Sequence, residues 1–250
     1  MALGGTNGNH GDIPTWQRIL DVLEHLNIQR AHVAGRIPTD FLGLTHECSD
    51  KISSLSLICP ESLNAEAMRN IAFPLLMITG DTSPTDKRSI DAATSLNNAQ
   101  HFILKDYASM MWSDMIADRV DDIAKTFVPF LDEADETVSV LDADTIEKEG
   151  EISGVSYLLG GKGPALILFP LGLAPNQWTP LLQKLQEKFC TVILSGPELG
   201  VIPVLEDRGQ APGYLRLIQS MMDAVDIQND DTLLDIGCGT GVIDRWLAAY

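Results

Sequence analysis

Apolar positions along this chain recur at two spacings, and the two alternate. From Thr15 to Leu26, TWQRILDVLEHL sets Trp16, Ile19, Leu20, Leu23 and Leu26 on one stripe, the spacing of an amphipathic helix. Short apolar runs follow at AHVAG (31–35), ISSLSLIC (52–59), FPLLMITG (73–80) and HFIL (101–104), each predicting a buried strand. Between the last two, KRSIDAATSL (87–96) predicts a helix. DMIADRVDDIAKTFVPFL (114–131) predicts one long amphipathic helix. Strands that alternate with helices imply an α/β fold, a mostly parallel sheet with flanking crossover helices.

The alternation pauses at DEADETVSVLDADTIEKEG (132–150), which is acidic and weakly apolar, the composition of a linker or an exposed edge. It resumes with EISGVSYLLGG (151–161), a strand with a glycine turn, and PALILFPLG (164–172), a buried strand running into a loop. NQWTPLLQKLQEKF (176–189) predicts a helix and CTVIL (190–194) the next strand. The Gly/Pro-rich stretch 195–213 interrupts the pattern. YLRLIQSMMDAVDI (214–227) is then a helix, TLLDIG (232–237) a strand, GCGTG a glycine loop and VIDRWLAAY a helix start. The expected organisation is a first region 1–131, an acidic linker 132–150, a further region 151–209 and a last domain opening at 210–250.

Composition narrows the function classes. Apolar residues make up 45% and charged residues 21% of the 250, enough apolar material for a real core. The net charge of −18 comes with no Lys/Arg cluster, which argues against nucleic acid or an anionic membrane as a partner. Cys48, Cys59, Cys190 and Cys238 form no C-x-x-C pair and have no histidine at zinc-ligand spacing. Scattered thiols suit a reducing compartment. MALGGTNGNHGD has neither the basic nor the apolar part of a signal peptide, and no apolar run approaches a membrane span. The expectation is a cytoplasmic protein with a small-molecule partner.

The clearest chemistry lies in Asp235-Ile236-Gly237-Cys238-Gly239-Thr240-Gly241, placed between an expected strand and an expected helix. Glycine tolerates positive φ, so it suits a tight strand-to-helix turn and lets a ligand lie against bare backbone. A helix mouth adds free N–H groups and partial positive charge. A dinucleotide-binding loop spaces its glycines G-x-G-x-x-G, whereas the spacing here is G-x-G-x-G behind an aspartate. The stretch closely resembles motif I, D-x-G-x-G-x-G, of class I S-adenosylmethionine-dependent methyltransferases. That resemblance implies that Gly237, Cys238, Gly239 and Gly241, with Thr240 between them, pack against S-adenosyl-L-methionine. It implies that Asp235 orients the loop and the methionine end, and that a small molecule accepts the methyl group. Cys238 reads as a packing residue, since no His or Lys stands by to lower its pKa. The resemblance covers about residues 212–250. The family's second, acidic anchor falls about 20 residues after the loop, as in related nucleotide folds; nine residues follow Gly241. The chain alone is therefore expected to be inactive in methyl transfer, with catalytic residues unassigned.

Two further stretches resemble the α/β-hydrolases. ILDVLEHLNIQ-AHVAG, PLLMITGD and YASMMWSDMIADRVDDIAKTFVPFL resemble the later half of that family, over about residues 16–131. The resemblance places the nucleophile of G-x-S-x-G at Ile37 (after Gly35 and Arg36, before Pro38 and Thr39), the acid near Ser83 and the imidazole near Ser109. Asp81 and Asp86 stand close to the acid position. None of the three catalytic types survives, and without an imidazole no hydroxyl is activated in triad fashion. Of the histidines, His10 is expected in a loose N-terminus, His25 at a helix surface, and His32 and His101 at strand edges. His46 follows Thr45, a pairing that sequence adjacency alone rarely turns into a site.

LILFPLGLAPNQWTPLL resembles the opening half of a hydrolase, over about 155–195, with Phe169 or Pro170 where the family has its H-G-x histidine. The order is thus later half, opening half, methyltransferase opening. Either the chain is a piece of a longer protein, or the strands 165–169 and 191–194 join those of 31–104 in one sheet of permuted order. The leading function is an incomplete S-adenosylmethionine-dependent methyltransferase beside a non-catalytic hydrolase-like region. The alternative is a hydrolase-fold binding or scaffold module, or a residual hydrolase using Asp81 or Asp86.

Overall fold

The computed structural model describes residues 13–36, 38–60, 63, 65–110, 112–134, 137–172, 175–225 and 231–248. They fall into two units, Met1–Gly200 and Val201–Tyr250. In the first unit, helix α1 (Thr15–His25) leads to strand β1 (Ala31–Gly35), α2 (Pro38–Glu47), β2 (Ile52–Ile58), α3 (Ala65–Met68), β3 (Leu75–Thr79), α4 (Pro84–Thr94) and β4 (Ala99–Ile103). Helices α5 (Met115–Asp118) and α6 (Val120–Glu133) follow, then β5 (Val140–Asp142), β6 (Glu149–Ile152), β7 (Val155–Gly160), β8 (Lys162–Leu168), α7 (Thr179–Gln186) and β9 (Cys190–Ser195).

These strands form one sheet in the order β4-β3-β2-β1-β8-β9-β7-β6, with β5 pairing on β8. The six strands from β4 to β9 run parallel. The hairpin β6–β7 completes that edge antiparallel. Its two-residue turn, Ser153-Gly154, has φ of 51° and 77°, the left-handed pair that matches strand twist. Parallel strands need a crossover, and each helix between them supplies one. Both sheet faces are then covered, which is why β1, β2 and β3 are buried along their whole length, the polar His32, Ser53, Ser54 and Ser56 included.

One core lies under α1, where Ile19, Val22 and Leu23 meet Val33, Leu55, Ile167 and Val192. The other lies under α6 and α7, where Phe127, Phe130, Trp178, Leu181 and Leu185 meet Ala34, Leu76, Leu166 and Leu168. Strand β1 pairs with β2 through Val33↔Leu55 and with β8 through Val33↔Ile167. Strands 31–103 and 155–195 therefore stand side by side in one sheet, β8 lying against β1.

Residues 137–142 stitch this join. Ser139 Oγ accepts from the Gln29 and Arg30 amides at 2.9 and 3.2 Å, and the Ser139 carbonyl accepts from Ala165 at 2.8 Å.

Several sequence expectations are corrected. The helix expected over 114–131 breaks at Arg119, whose φ/ψ of −139°/35° leaves the helical region. Its guanidinium reaches the Lys105 and Asp106 carbonyls and lies 5.3 Å from the Tyr107 ring centre. His32, expected at a strand edge, is buried mid-sheet, because β8 covers the side of β1 that a five-residue motif leaves open. Its Nδ1 lies 2.8 Å from Ser54 Oγ. His101 does sit on the edge strand β4, 2.9 Å from Thr79 Oγ1.

The second unit holds α8 (Ile202–Gln210), α9 (Pro212–Val225) and α10 (Val242–Leu247). The Gly/Pro-rich stretch was expected to be irregular; it forms α8 because Pro203 sits in the first turn, where a missing N–H costs nothing. The strand expected at 232–237 does not form: residues 231–236 pair with no strand and are exposed, Leu234 at 81% and Ile236 at 87%. Isolated extended backbone has no ladder to satisfy it. A Rossmann-like sheet is thus not present among the described residues of this unit. No described helix is long and apolar enough to cross a membrane.

Ile167→Ala removes buried methyls between Val33 and Val192, and should lower the unfolding free energy by about 2–5 kcal/mol in urea. Native-state hydrogen exchange should show β1 and β8 opening together; independent opening of residues 31–103 and 155–195 would contradict the single sheet.

Candidate functional site

In open α/β sheets ligands bind beyond the carboxyl ends of the strands. In this sheet that position is filled by Arg36, the residue after β1. Its side chain is fully buried. Nε donates to the Cys59 carbonyl at 3.0 Å, Nη1 to the Leu171 carbonyl at 3.3 Å and Nη2 to the Met110 carbonyl at 2.5 Å. The three acceptors follow β2, β8 and β4, so one planar guanidinium ties together segments that follow three strands far apart in the sequence. Cys59 takes a left-handed turn, φ 48°, uncommon for a side chain of its type. Its amide stays bonded to the Ile78 carbonyl at 2.7 Å while its own carbonyl faces Arg36.

Ser83, Asp86 and Ser109 meet nearby. Asp86 is 1% exposed at the start of α4. Its Oδ2 accepts from the Ser83 and Ser109 amides at 2.9 and 3.2 Å, and its Oδ1 accepts from the Ser109 hydroxyl. Ser83 Oγ accepts from the Asp86 amide at 3.0 Å, completing a reciprocal cap on the helix. Gly80 permits this approach: a Cβ there would come within 2.3 Å of the Tyr107 carbonyl and 2.8 Å of Asp86 Oδ2. Asp81 is occupied differently, its Oδ1 accepting from the Tyr107 amide at 3.2 Å.

The structure brings Ser83, Asp86 and Ser109 together, and leaves Asp81, the other acid beside Ser83 in the sequence, on the Tyr107 amide. Asp86 has its oxygens committed to a cap and to Ser109, and Ser109 is itself 4% exposed. Such a pair holds two loops together and offers substrate no free hydroxyl. Arg36 and Asp86 both act on the Cys59 thiol. Burial, first, pushes that thiol up to about 12; Asp86 adds to the rise, and Arg36 opposes it.

The remaining sequence candidates are dispersed. Ile37, at the nucleophile position, and His10 lie outside the described residues. His46 is exposed, and Thr45 Oγ1 donates to the Leu42 carbonyl at 2.8 Å, away from an imidazole partnership. His25 is exposed on α1, its Nε2 3.3 Å from Tyr157 OH. Phe169 is buried, and its carbonyl accepts from the Trp178 indole at 2.8 Å. Among the described residues, no three His, Cys, Asp or Glu side chains are placed to hold a metal. A shallow concavity of about 500 Å³ lies elsewhere, on the face of β6, β7 and β9, lined by Glu149, Glu151, Tyr157, Leu158 and Ile193. Sequence reasoning missed Arg36; the available signal was a charged residue directly after the short buried strand AHVAG.

In the second unit, Gly237, Gly239 and Gly241 have φ of 85°, 61° and 72°, the left-handed values that the glycine spacing anticipates. Gly241 caps α10. A Cβ on Gly237 would meet nothing within 4 Å, so that stretch of backbone is bare and open. Cys238 is an exposed free thiol, and Asp235 is exposed. The lead-in strand expected before this turn is not formed.

No family model and no curated protein matches the chain. A solved structure described as a predicted CIB-like hydrolase from Thermoplasma acidophilum aligns with a TM-score of 0.40 and 17% identity, over 47% of this chain. The chain spans 57% of the length of that protein.

Arg36→Met should leave the buried Cys59 and Leu171 carbonyls without this donor and cost about 3–5 kcal/mol in urea unfolding; a loss below about 1 kcal/mol would mean that the guanidinium is not structural. Burial holds three thiols protonated: Cys59 as above, Cys190 pushed up to about 11, and Cys48 raised in the same direction. At pH 8 a disulfide reagent should therefore titrate Cys238 quickly and the other three only after unfolding. Neutral thiols in the fold and ordinary ones when unfolded make their contribution complete below about pH 9, and lost as pH rises toward 12. The urea midpoint should fall across that window.

Proposed function

We propose that residues 13–200 are a non-catalytic α/β-hydrolase-fold module that serves as a binding or scaffold unit. The observation that carries this reading is the Arg36 guanidinium, buried at the strand ends and bonded to the Cys59, Leu171 and Met110 carbonyls. A hydrolase needs that volume for its acyl group and for the amides that bind an oxyanion. A buried cation held by carbonyls offers neither. Asp86, the acid best placed to serve a residual hydrolase, is spent on Ser83 and Ser109. A p-nitrophenyl acetate assay tests this: turnover should not exceed that of the unfolded chain. Turnover abolished by Ser109→Ala, or by another single Ser or Thr substitution, would overturn it.

A second reading rests on a different observation, the three left-handed glycines of D-x-G-x-G-x-G ahead of α10. We propose that Gly237, Cys238, Gly239, Thr240 and Gly241 form a binding turn for S-adenosyl-L-methionine, oriented by Asp235, in a protein that transfers methyl groups to a small molecule. Bound there, the cofactor would supply the activated methyl. The chain's own part is to present bare amides to the ligand. Titration calorimetry with S-adenosylmethionine should give saturable heat that Gly239→Val removes; no heat from the native chain at about 1 mM ligand, a concentration that exposes even weak binding, would defeat this reading.

A further inference from the structure

Strand β6 ends the sheet on one side, and its outer edge pairs with no described strand. Bonds across an antiparallel pair alternate from residue to residue. The Leu159 amide donates to the Lys148 carbonyl at 2.6 Å. In the register Gly150↔Tyr157 and Ile152↔Val155, the backbone groups of Gly150 and Ile152 therefore also turn to β7. The amides and carbonyls of Glu149 and Glu151 point outward and bond to nothing among the described residues. Helix α1 holds this hairpin from one side. The Ser153 hydroxyl donates to the Asp21 carboxylate, the Tyr157 hydroxyl lies 3.3 Å from His25 Nε2, and a Cβ at Gly150 would fall 2.6 Å from that same hydroxyl. On the other side Glu149, Glu151, Ser156 and Leu158 line the shallow concavity with Ile193 and Ser195. Leu158 is 47% exposed there, directly across the pair from Glu149.

We infer that β6 takes up an extended basic peptide segment as a further antiparallel strand. This rests on the reading of the first unit as a binding module and names its partner class. Glu149 and Glu151 present their amides and carbonyls at the spacing of alternate residues in an incoming strand, the main-chain part of such recognition. Those alternate residues set their side chains opposite Glu149 and Glu151, where cations pair with the carboxylates and their carbon stems cover Leu158. Charge selects the occupant. Lys148, beside these carboxylates in sequence, is held by Asp144 at 2.7 Å, and Lys162 by Asp142 at 2.8 Å, so both nearby cations are already engaged. Two copies of the chain pairing β6 to β6 would set carboxylates against carboxylates, which is destabilising, and each copy carries a net charge of −18. Charges on an edge strand turn away strands of like charge; these two admit one of opposite charge.

The probe is the peptide acetyl-TVRTRVT-amide, titrated calorimetrically into the full chain, with hydrogen exchange read at residues 149–152. Binding should saturate and slow exchange of the Glu149 and Glu151 amides at least about tenfold, leaving those of Gly150 and Ile152, already turned to β7, unchanged. Glu149→Gln/Glu151→Gln should weaken binding roughly three- to tenfold, as for two exposed pairs, and Glu149→Lys/Glu151→Lys should abolish it. Methylating the backbone nitrogens of the two peptide arginines removes the donors that face β6 and should also abolish binding, with the protein itself unaltered. Equal binding of the methylated peptide, or of one with glutamate in place of arginine, would overturn strand addition. A dimer of the native chain that Glu149→Lys/Glu151→Lys dissociates would give the edge to a second copy and overturn it too. No binding at about 1 mM peptide, with ester turnover still at background, would overturn strand addition and leave the non-catalytic reading standing.

Discussion

A guanidinium shut away from water at the ends of β1, β2, β4 and β8 is the constraint on which the first unit depends. Removing a cation from water is expensive, and the expense is met only when its donors find good acceptors. Arg36 finds them in the carbonyls of Cys59, Leu171 and Met110, which belong to three different loops. Those loops cannot move independently without leaving a buried charge uncompensated. The strained backbone of Cys59 is intelligible in this light, because a left-handed residue persists only where its surroundings over-determine it. The Ser83–Asp86–Ser109 cluster performs the same service one loop away, fastening α4 to the loop after β4.

This arrangement inverts the usual economy of an α/β sheet. The strand ends of such folds are ordinarily left under-packed so that a ligand can complete them. Here the Arg36 guanidinium and the three carbonyls it binds occupy part of that position. The same sheet joins two stretches that are far apart in sequence, because β8 lies against β1 and Ser139 stitches the connection between them. The second unit differs in character: it has no buried hydrophobic side chain among its described helices, and its glycine turn is held by contacts from α8.

Much of the sheet was legible in the sequence, since a strand buried on both faces writes itself as an apolar run, and AHVAG, LLMIT and CTVIL do so. The permuted order was legible only as an open alternative, because pairing between β1 and β8 spans more than 130 residues and leaves no local trace. The break at Arg119 was hidden because its cause, the Tyr107 ring and the carbonyls before it, is tertiary. TLLDIG read as a strand from its apolar run, but a run marks a strand only where a neighbour exists to pair with it. The family resemblance pointed to Ser83 and Ser109, left Asp81 and Asp86 open, and did not foresee that Asp86 would bind both serines. It could not show that Arg36 had taken the space, because three backbone carbonyls have no signature in side-chain sequence.

Proton exchange at the Arg36 Nε, followed by nitrogen-15 NMR, addresses the buried guanidinium most directly. If it is held as described, its Nε proton should exchange at least about a thousandfold more slowly than that of the exposed Arg88, as opening then requires much of the first unit to unfold. Exchange at the rate of Arg88 would place the guanidinium in water and contradict the filled strand ends on which the non-catalytic assignment stands.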